Sequence, residues 1–118
     1  MTFPVSDVPF GRGCVDRLAY RDGVLAVCGW LTPLNQLLDG FRILVNGEEY
    51  GAAQQIELPN VAEVYPFIPG ARTAGFYFRQ PVPDSAMRGR SQIDVYGMAG
   101  GRPIVRLNTM FREPLLSS

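Results

Sequence analysis

Apolar and polar residues alternate along most of this chain, which is the periodicity of β-strands that bury one face. In one segment Phe76 and Phe78 fall on one side, and Tyr77 and Arg79 fall on the other. The pattern predicts seven strands, over residues 15–20, 24–30, 41–45, 48–53, 75–80, 91–98 and 103–110.

The segment over residues 24–30 departs from this alternation, because it is apolar on both sides. Such a run is typical of a central strand whose two faces are both covered. We therefore expect this strand to lie inside the sheet, with protein packed above and below it.

Turn residues join neighbouring strands into hairpins. Asp22-Gly23 and Asn46-Gly47 are both sequences that favour two-residue hairpin turns. A two-residue turn at Asn46-Gly47 predicts that Ile43 lies opposite Tyr50, so that apolar side chains share one face.

The last hairpin allows two interpretations. A two-residue turn at Gly100-Gly101 would place Arg106 beside Val95, on the buried face. A three-residue loop, with Gly101 in the left-handed conformation, places Arg106 beside Asp94 or Tyr96, and we prefer that interpretation.

One short helix is expected between the fourth and fifth strands. Asn60 can cap it, and Glu63 follows at the spacing of a capping box. Pro66 and Pro69 limit it to a turn or two.

Seven strands, one short helix and a length of 118 residues indicate an all-β fold, and an immunoglobulin-like β-sandwich is the simplest form of it. We predict a single domain over residues 1–118, with residues 1–13 as an extended N-terminal segment rich in Pro and Gly.

The composition argues against several classes of function. Eleven basic and eleven acidic residues cancel, so the chain lacks the electrostatic footprint of a nucleic-acid-binding protein. It contains no His and no Lys, which removes the Ser–His and Cys–His pairs, lysine chemistry and most zinc sites. We therefore expect no catalytic residues, no cofactor and no metal. The first residues do not resemble a signal peptide, and no apolar run has membrane-spanning length, so the expected location is the cytoplasm.

Two cysteines raise the question of a disulfide. Pairing in the first hairpin would place Cys28 opposite Asp16, with Cys14 one diagonal step away. That separation, about 7–8 Å, is long for a disulfide, so two free thiols are expected.

The candidate binding residues are aromatic and Arg side chains. Alternation predicts one outward stripe formed by Tyr77, Arg79, Asp94, Tyr96 and Arg106. Tyr and Arg are common at binding hot spots, although an ordinary solvated face has the same pattern. Trp30 ends the second strand and is either part of the core or, if it faces outward, a stacking platform for a sugar ring.

Four short motifs, in this order, resemble those of a known type of module: Gly29-Trp30 at the end of a strand, the Asn46-Gly47 turn, the segment over residues 59–66, and Gly75-Phe76. The resemblance is to small immunoglobulin-like domains attached to bacterial glycosyltransferases and methyltransferases of cell-surface polysaccharide and secondary-metabolite pathways. Leu58 and Asn60 stand where that pattern has Arg and Asp.

The resemblance implies a non-catalytic accessory module beside a carbohydrate-modifying enzyme. Its partner would be a glycan or a neighbouring enzyme domain, and no catalytic residues carry over. A protein-interaction or dimerisation module that does not bind glycan is the alternative.

Overall fold

The computed structural model describes residues 8–87 and 89–112, and all seven predicted strands lie within them. Residues 1–7 of the predicted N-terminal segment lie outside the described part. The strands are β1 Arg12–Arg21, β2 Val24–Thr32, β3 Gly40–Val45, β4 Glu48–Ile56, β5 Gly75–Pro81, β6 Arg90–Ala99 and β7 Arg102–Arg112, and the short helix α1 is Pro59–Val64.

The strands form one antiparallel sheet in the order β1-β2-β5-β4-β3-β6-β7. Strand β4 changes partners along its length: residues 48–53 face β3, with one bulge, and residues 54–56 pair with β5. The sheet therefore folds into two halves, β1-β2-β5-β4 and β3-β6-β7. This is the strand order of an immunoglobulin constant-type sandwich, and the predicted fold class is confirmed.

A bulge in β4 interrupts its pairing with β3, before the strand changes partner after residue 53. Val45 pairs with Glu48 across the Asn46-Gly47 turn, but Ile43 pairs with Gly51, not with Tyr50 as predicted. Tyr50 is the extra residue, and Gly51 has a φ of 132°, which favours glycine. The turn was predicted correctly, and the bulge beyond it was not.

The core lies between the two halves. The rings of Phe41 from β3 and Phe76 from β5 meet there with centroids 5.4 Å apart. Around them pack the fully buried side chains that alternation placed inward, among them Leu25, Val27, Ile43, Phe78, Ile93 and Val95.

In the last hairpin, the prediction that Arg106 lies beside Tyr96 is correct, but the predicted three-residue loop is wrong. Ala99 pairs with Arg102, so Gly100-Gly101 is a two-residue turn, and both glycines have positive φ. Beyond it, β7 contains one extra residue at Ile104, and this bulge places Arg106 opposite Tyr96.

The helix begins two residues earlier than a capping box at Asn60 would require. Leu58 is its N-cap residue, Pro59 follows inside the first turn, and no side chain makes a capping hydrogen bond. Asn60 therefore lies inside the helix, and the predicted pairing of Asn60 with Glu63 is wrong. Proline fixes its φ near the helical value, which suits the first helical position.

Part of the predicted N-terminal segment, residues 1–13, belongs to the sheet. Residues 12 and 13 already belong to β1. Just before them, the main chain pairs in parallel with β7: Arg106 donates its amide to the Pro9 carbonyl at 2.9 Å, and Gly11 donates to the Arg106 carbonyl at 3.1 Å. This contact covers the edge of β7. Within the described residues, no helix is long and apolar enough to cross a membrane.

Candidate ligand-binding face

The predicted stripe of binding residues is divided between the two outer faces of the sandwich. Tyr77 and Arg79 point away from the core on β5, because their neighbours Phe76 and Phe78 point into it. Tyr96 lies on β6, in the other half of the sheet. The prediction that all these side chains share one face is therefore wrong, since alternation fixes the direction of a side chain but not the neighbours of its strand.

Tyr96 and Arg106 lie on the outer face of β3-β6-β7, where both contact other parts of the protein. Tyr96 is fully buried in a second apolar cluster with Val8, Leu44 and Met98. Arg106 donates from Nε to the Val8 carbonyl at 2.9 Å, and its guanidinium carbon lies 4.2 Å from the centroid of the Phe10 ring. Both residues thus contact residues 8–10 and hold them against this half of the sheet.

Asp94 lies in the same region and is also buried rather than exposed. Gln92 donates from Nε2 to both carboxylate oxygens, at 3.1 and 3.2 Å. Across the hairpin Asp94 faces Asn108, not Arg106. Burial raises the pKa of Asp94, while the Gln92 hydrogen bonds and the charge of Arg106 act in the opposite direction.

Replacing this buried carboxylate is expected to stabilise the fold at neutral and higher pH. A pKa raised by folding means that the contribution of Asp94 to stability is complete at low pH and is lost as pH rises through its folded pKa. Asp94→Asn should therefore gain stability over wild type as pH rises from 4 to 8, measured by urea unfolding. If Asp94→Asn were less stable than wild type at pH 8, the Gln92 hydrogen bonds and the attraction of Arg106 would together outweigh the cost of burial.

The outer face of β1-β2-β5-β4 has a different character. Along β2, an outward strip of four side chains is only half-buried: Val24, Ala26, Cys28 and Trp30. The apolar run that predicted a strand covered on both faces is thus covered on one. The side chains of this strip are apolar and, except for Trp30, small. We call the strip the floor of a trough, whose sides are the neighbouring side chains of β1 and β5.

Larger side chains stand on both sides of this floor. Across β2, Cys28 lies between Arg17 of β1 and Tyr77 of β5. One step further along, Ala26 lies between Ala19 and Arg79. Directly opposed side chains are about 5 Å apart, so Arg17, Tyr77 and Arg79 lie immediately beside the strip.

Trp30 closes one end of the trough. Its ring packs against Tyr65, which follows α1, with centroids 5.5 Å apart. The Arg12 guanidinium carbon lies 5.7 Å from the centroid of the Tyr65 ring, within range of a cation–π contact. A cavity of about 260 Å³ opens between Trp30, Tyr65 and α1. Of the two roles considered for Trp30, the outward one agrees with this position.

This outer surface is basic, and we call it the arginine face, defined by Arg12, Arg17, Arg21, Arg79, Trp30 and Tyr77. Asp16 lies at the bulge in β1, where it accepts a hydrogen bond from Cys14 at 3.2 Å. All four arginines are exposed. Within the described part of the chain, Arg17, Arg21 and Arg79 make no ion pair or side-chain hydrogen bond, so their donors are available to a ligand.

Sequence reasoning identified Trp30, Tyr77 and Arg79, missed Arg12, Arg17 and Arg21, and did not place Tyr65 beside Trp30. The three arginines could have been found, because the hairpin turn at Asp22-Gly23 places β1 beside β2. Tyr65 follows a short helix, and its packing on Trp30 leaves no periodic signal in the sequence.

Both cysteines are free, as predicted, and both lie on this outer face. Cys28 faces Arg17 rather than Asp16, because Asp16 is the extra residue of the β1 bulge. Partial burial raises the pKa of the Cys14 thiol, and the nearby Asp16 carboxylate raises it further. Cys14 is therefore a weak nucleophile near neutral pH.

The described residues contain no group of three or more His, Cys, Asp or Glu side chains that could hold a metal ion. Comparison of the chain with known proteins found no matching family model, no matching curated protein and no matching solved structure.

Proposed function

We propose that this chain is a non-catalytic accessory module that binds carbohydrate through its arginine face, beside a carbohydrate-modifying enzyme. The observation that carries the proposal is the half-exposed strip of β2, with Trp30 at its end and Tyr77, 42% exposed, at its side. Exposed rings beside a shallow trough suit the flat, apolar faces of sugar rings, and guanidinium groups suit their oxygen atoms.

The sequence supports the non-catalytic part of the proposal. It has no His or Lys to act as a general base. The motifs that resemble modules of bacterial glycosyltransferases and methyltransferases also support the enzyme context, because Trp30 of the Gly-Trp motif belongs to the proposed surface. A bacterial source and a cytoplasmic location are parts of this proposal and rest on the sequence alone.

The test is binding to an array of neutral and acidic polysaccharides, comparing wild type with Trp30→Ala and Tyr77→Ser. Each variant should weaken binding by about tenfold or more, as expected for an aromatic hot spot. Phe67→Ser is the matched control, because Phe67 is 95% exposed in a loop outside the arginine face. Circular dichroism and thermal unfolding would confirm that each variant folds. Unchanged affinity in both variants would remove the arginine face from the proposal.

A second candidate function is protein interaction or dimerisation, and a different surface favours it. Leu34 and Leu37 are exposed in the loop after β2, Val64 is exposed at the end of α1, and Phe67 is exposed between α1 and β5. The two loops approach each other, since a Cβ at Gly70 would lie 3.6 Å from Leu37 Cδ2. Exposed apolar side chains of this kind are typical of protein contacts. Association measured by sedimentation, abolished by Phe67→Ser but not by Tyr77→Ser, would favour this function.

A further inference from the structure

We infer that the arginine face binds an acidic polysaccharide, in which carboxylate-bearing sugars pair with Arg17 and Arg79 across the trough. This inference rests on the proposed function and specifies its ligand class. The face carries four arginines, against Asp16 in the β1 bulge and Asp22 next to Arg21 in the turn, although the whole chain has a net charge of zero. The excess of positive charge is therefore confined to this face, and it favours a negatively charged ligand.

The positions of the arginines indicate how far apart the ligand charges should be. Arg17 and Arg21 lie four residues apart on β1, which is about 13 Å along a strand. Arg17 and Arg79 lie on strands separated by β2, which is about 10 Å across the sheet. Charges at such distances match a polymer in which acidic groups are separated by sugar rings. A nucleic acid strand, with one phosphate about every 3.4 Å along the helix axis, has a much denser charge.

The strand pairing argues against an acidic peptide as the ligand. Strand β2 is paired on both sides, with β1 and with β5, so the floor of the trough offers no free main-chain groups for an added strand. Recognition must come from side chains alone. The groups available are planar guanidinium groups for carboxylates and the rings of Trp30 and Tyr77 for the apolar faces of sugars.

Cys28 supplies a reporter inside the proposed site. It lies on the floor of the trough between Arg17 and Tyr77, half-buried and free. A polymer lying along the strip would cover this thiol. In a Cys14→Ser background, bound ligand should therefore slow alkylation of Cys28 by N-ethylmaleimide severalfold.

The experiment compares polygalacturonate with its fully methyl-esterified form by titration calorimetry and affinity electrophoresis. Wild type should bind the acidic polymer more tightly, and Arg17→Gln/Arg79→Gln should bind it about tenfold or more weakly. The control Arg72→Gln/Arg102→Gln removes the same charge from exposed positions outside the arginine face and should bind like wild type. Added salt should reduce the preference for the acidic polymer.

The possible outcomes separate the inference from the proposed function. Equal binding of the two polymers, abolished by Trp30→Ala, would overturn the acidic ligand and keep a carbohydrate-binding face. Failure of the folded protein to bind any polysaccharide would overturn both. Tighter binding of poly-glutamate or single-stranded DNA than of polygalacturonate would also overturn the inference. Equal losses in the two double-arginine variants would show a general charge effect rather than a site.

Discussion

Gly29→Ala is expected to destabilise the fold by about 3 kcal/mol or more, which corresponds to a fall of roughly 10–20 °C in Tm. Gly29 pairs with Val15, next to the β1 bulge, where the two main chains approach closely. A Cβ at this position would overlap the carbonyl oxygen of Cys14 and lie 3.0 Å from the Val15 Cα. These are main-chain atoms of a paired strand, so the two strands must separate to admit a methyl group.

Gly40→Ala is the matched control for this prediction, because a Cβ at Gly40 would have no atom within 4 Å. Its stability should stay within about 0.5 kcal/mol of wild type or increase, since alanine reduces the entropy of the unfolded chain. Both variants are to be compared by thermal and urea unfolding. Similar midpoints for Gly29→Ala and wild type would show that β1 shifts freely, and the positions of Arg12 and Arg17 would then not be fixed.

The same close approach links the fold to the proposed site. Strand β1 carries Arg12, Arg17 and Arg21, while β2 carries Trp30 and the floor of the trough. Their relative positions depend on the register around the β1 bulge, where Val15 pairs with Gly29 and Arg17 pairs with Cys28. Glycine before Trp30 therefore has a structural reason: it lets β1 pack closely enough for its arginines to line the trough.

Most of the fold could be predicted from the sequence because its signals are local. Alternation and the apolar run over residues 24–30 identified the strands, and Asp22-Gly23 and Asn46-Gly47 identified two turns whose central residues have positive φ. The bulges at Asp16, Tyr50 and Ile104 could not be identified in the same way. Each depends on how two strands pair after they meet, and a single inserted residue moves every later partner by one.

The candidate site could be predicted only in part, for a related reason. The direction of Tyr77 follows from alternation, but its neighbours follow from the strand order, in which β5 lies between β2 and β4. The apolar outer side of β2 was misinterpreted because a covered strand and an apolar binding strip have the same composition. Only the placement of β2 shows that Cys28 and Trp30 are half-exposed.

Substitution of the two tyrosines should separate structure from binding. Tyr96 is fully buried among Val8, Leu44 and Met98, so Tyr96→Ser should cost about 3–5 kcal/mol through lost burial and the cavity that remains. Tyr77 is exposed, and Tyr77→Ser should change stability by about 0.5 kcal/mol or less while weakening glycan binding. Urea unfolding measures the first difference, and calorimetric titration of the folded variants measures the second.

Tyr96→Phe makes the prediction sharper, because it keeps the buried ring and removes only the hydroxyl group. It should cost clearly less than Tyr96→Ser, because no large cavity forms, and should leave ligand affinity unchanged. If Tyr96→Ser were as stable as Tyr77→Ser, the second apolar cluster would not hold residues 8–10 against β6 and β7. If Tyr96→Phe weakened glycan binding while remaining folded, the ligand site would extend to the outer face of β3-β6-β7, opposite the arginine face.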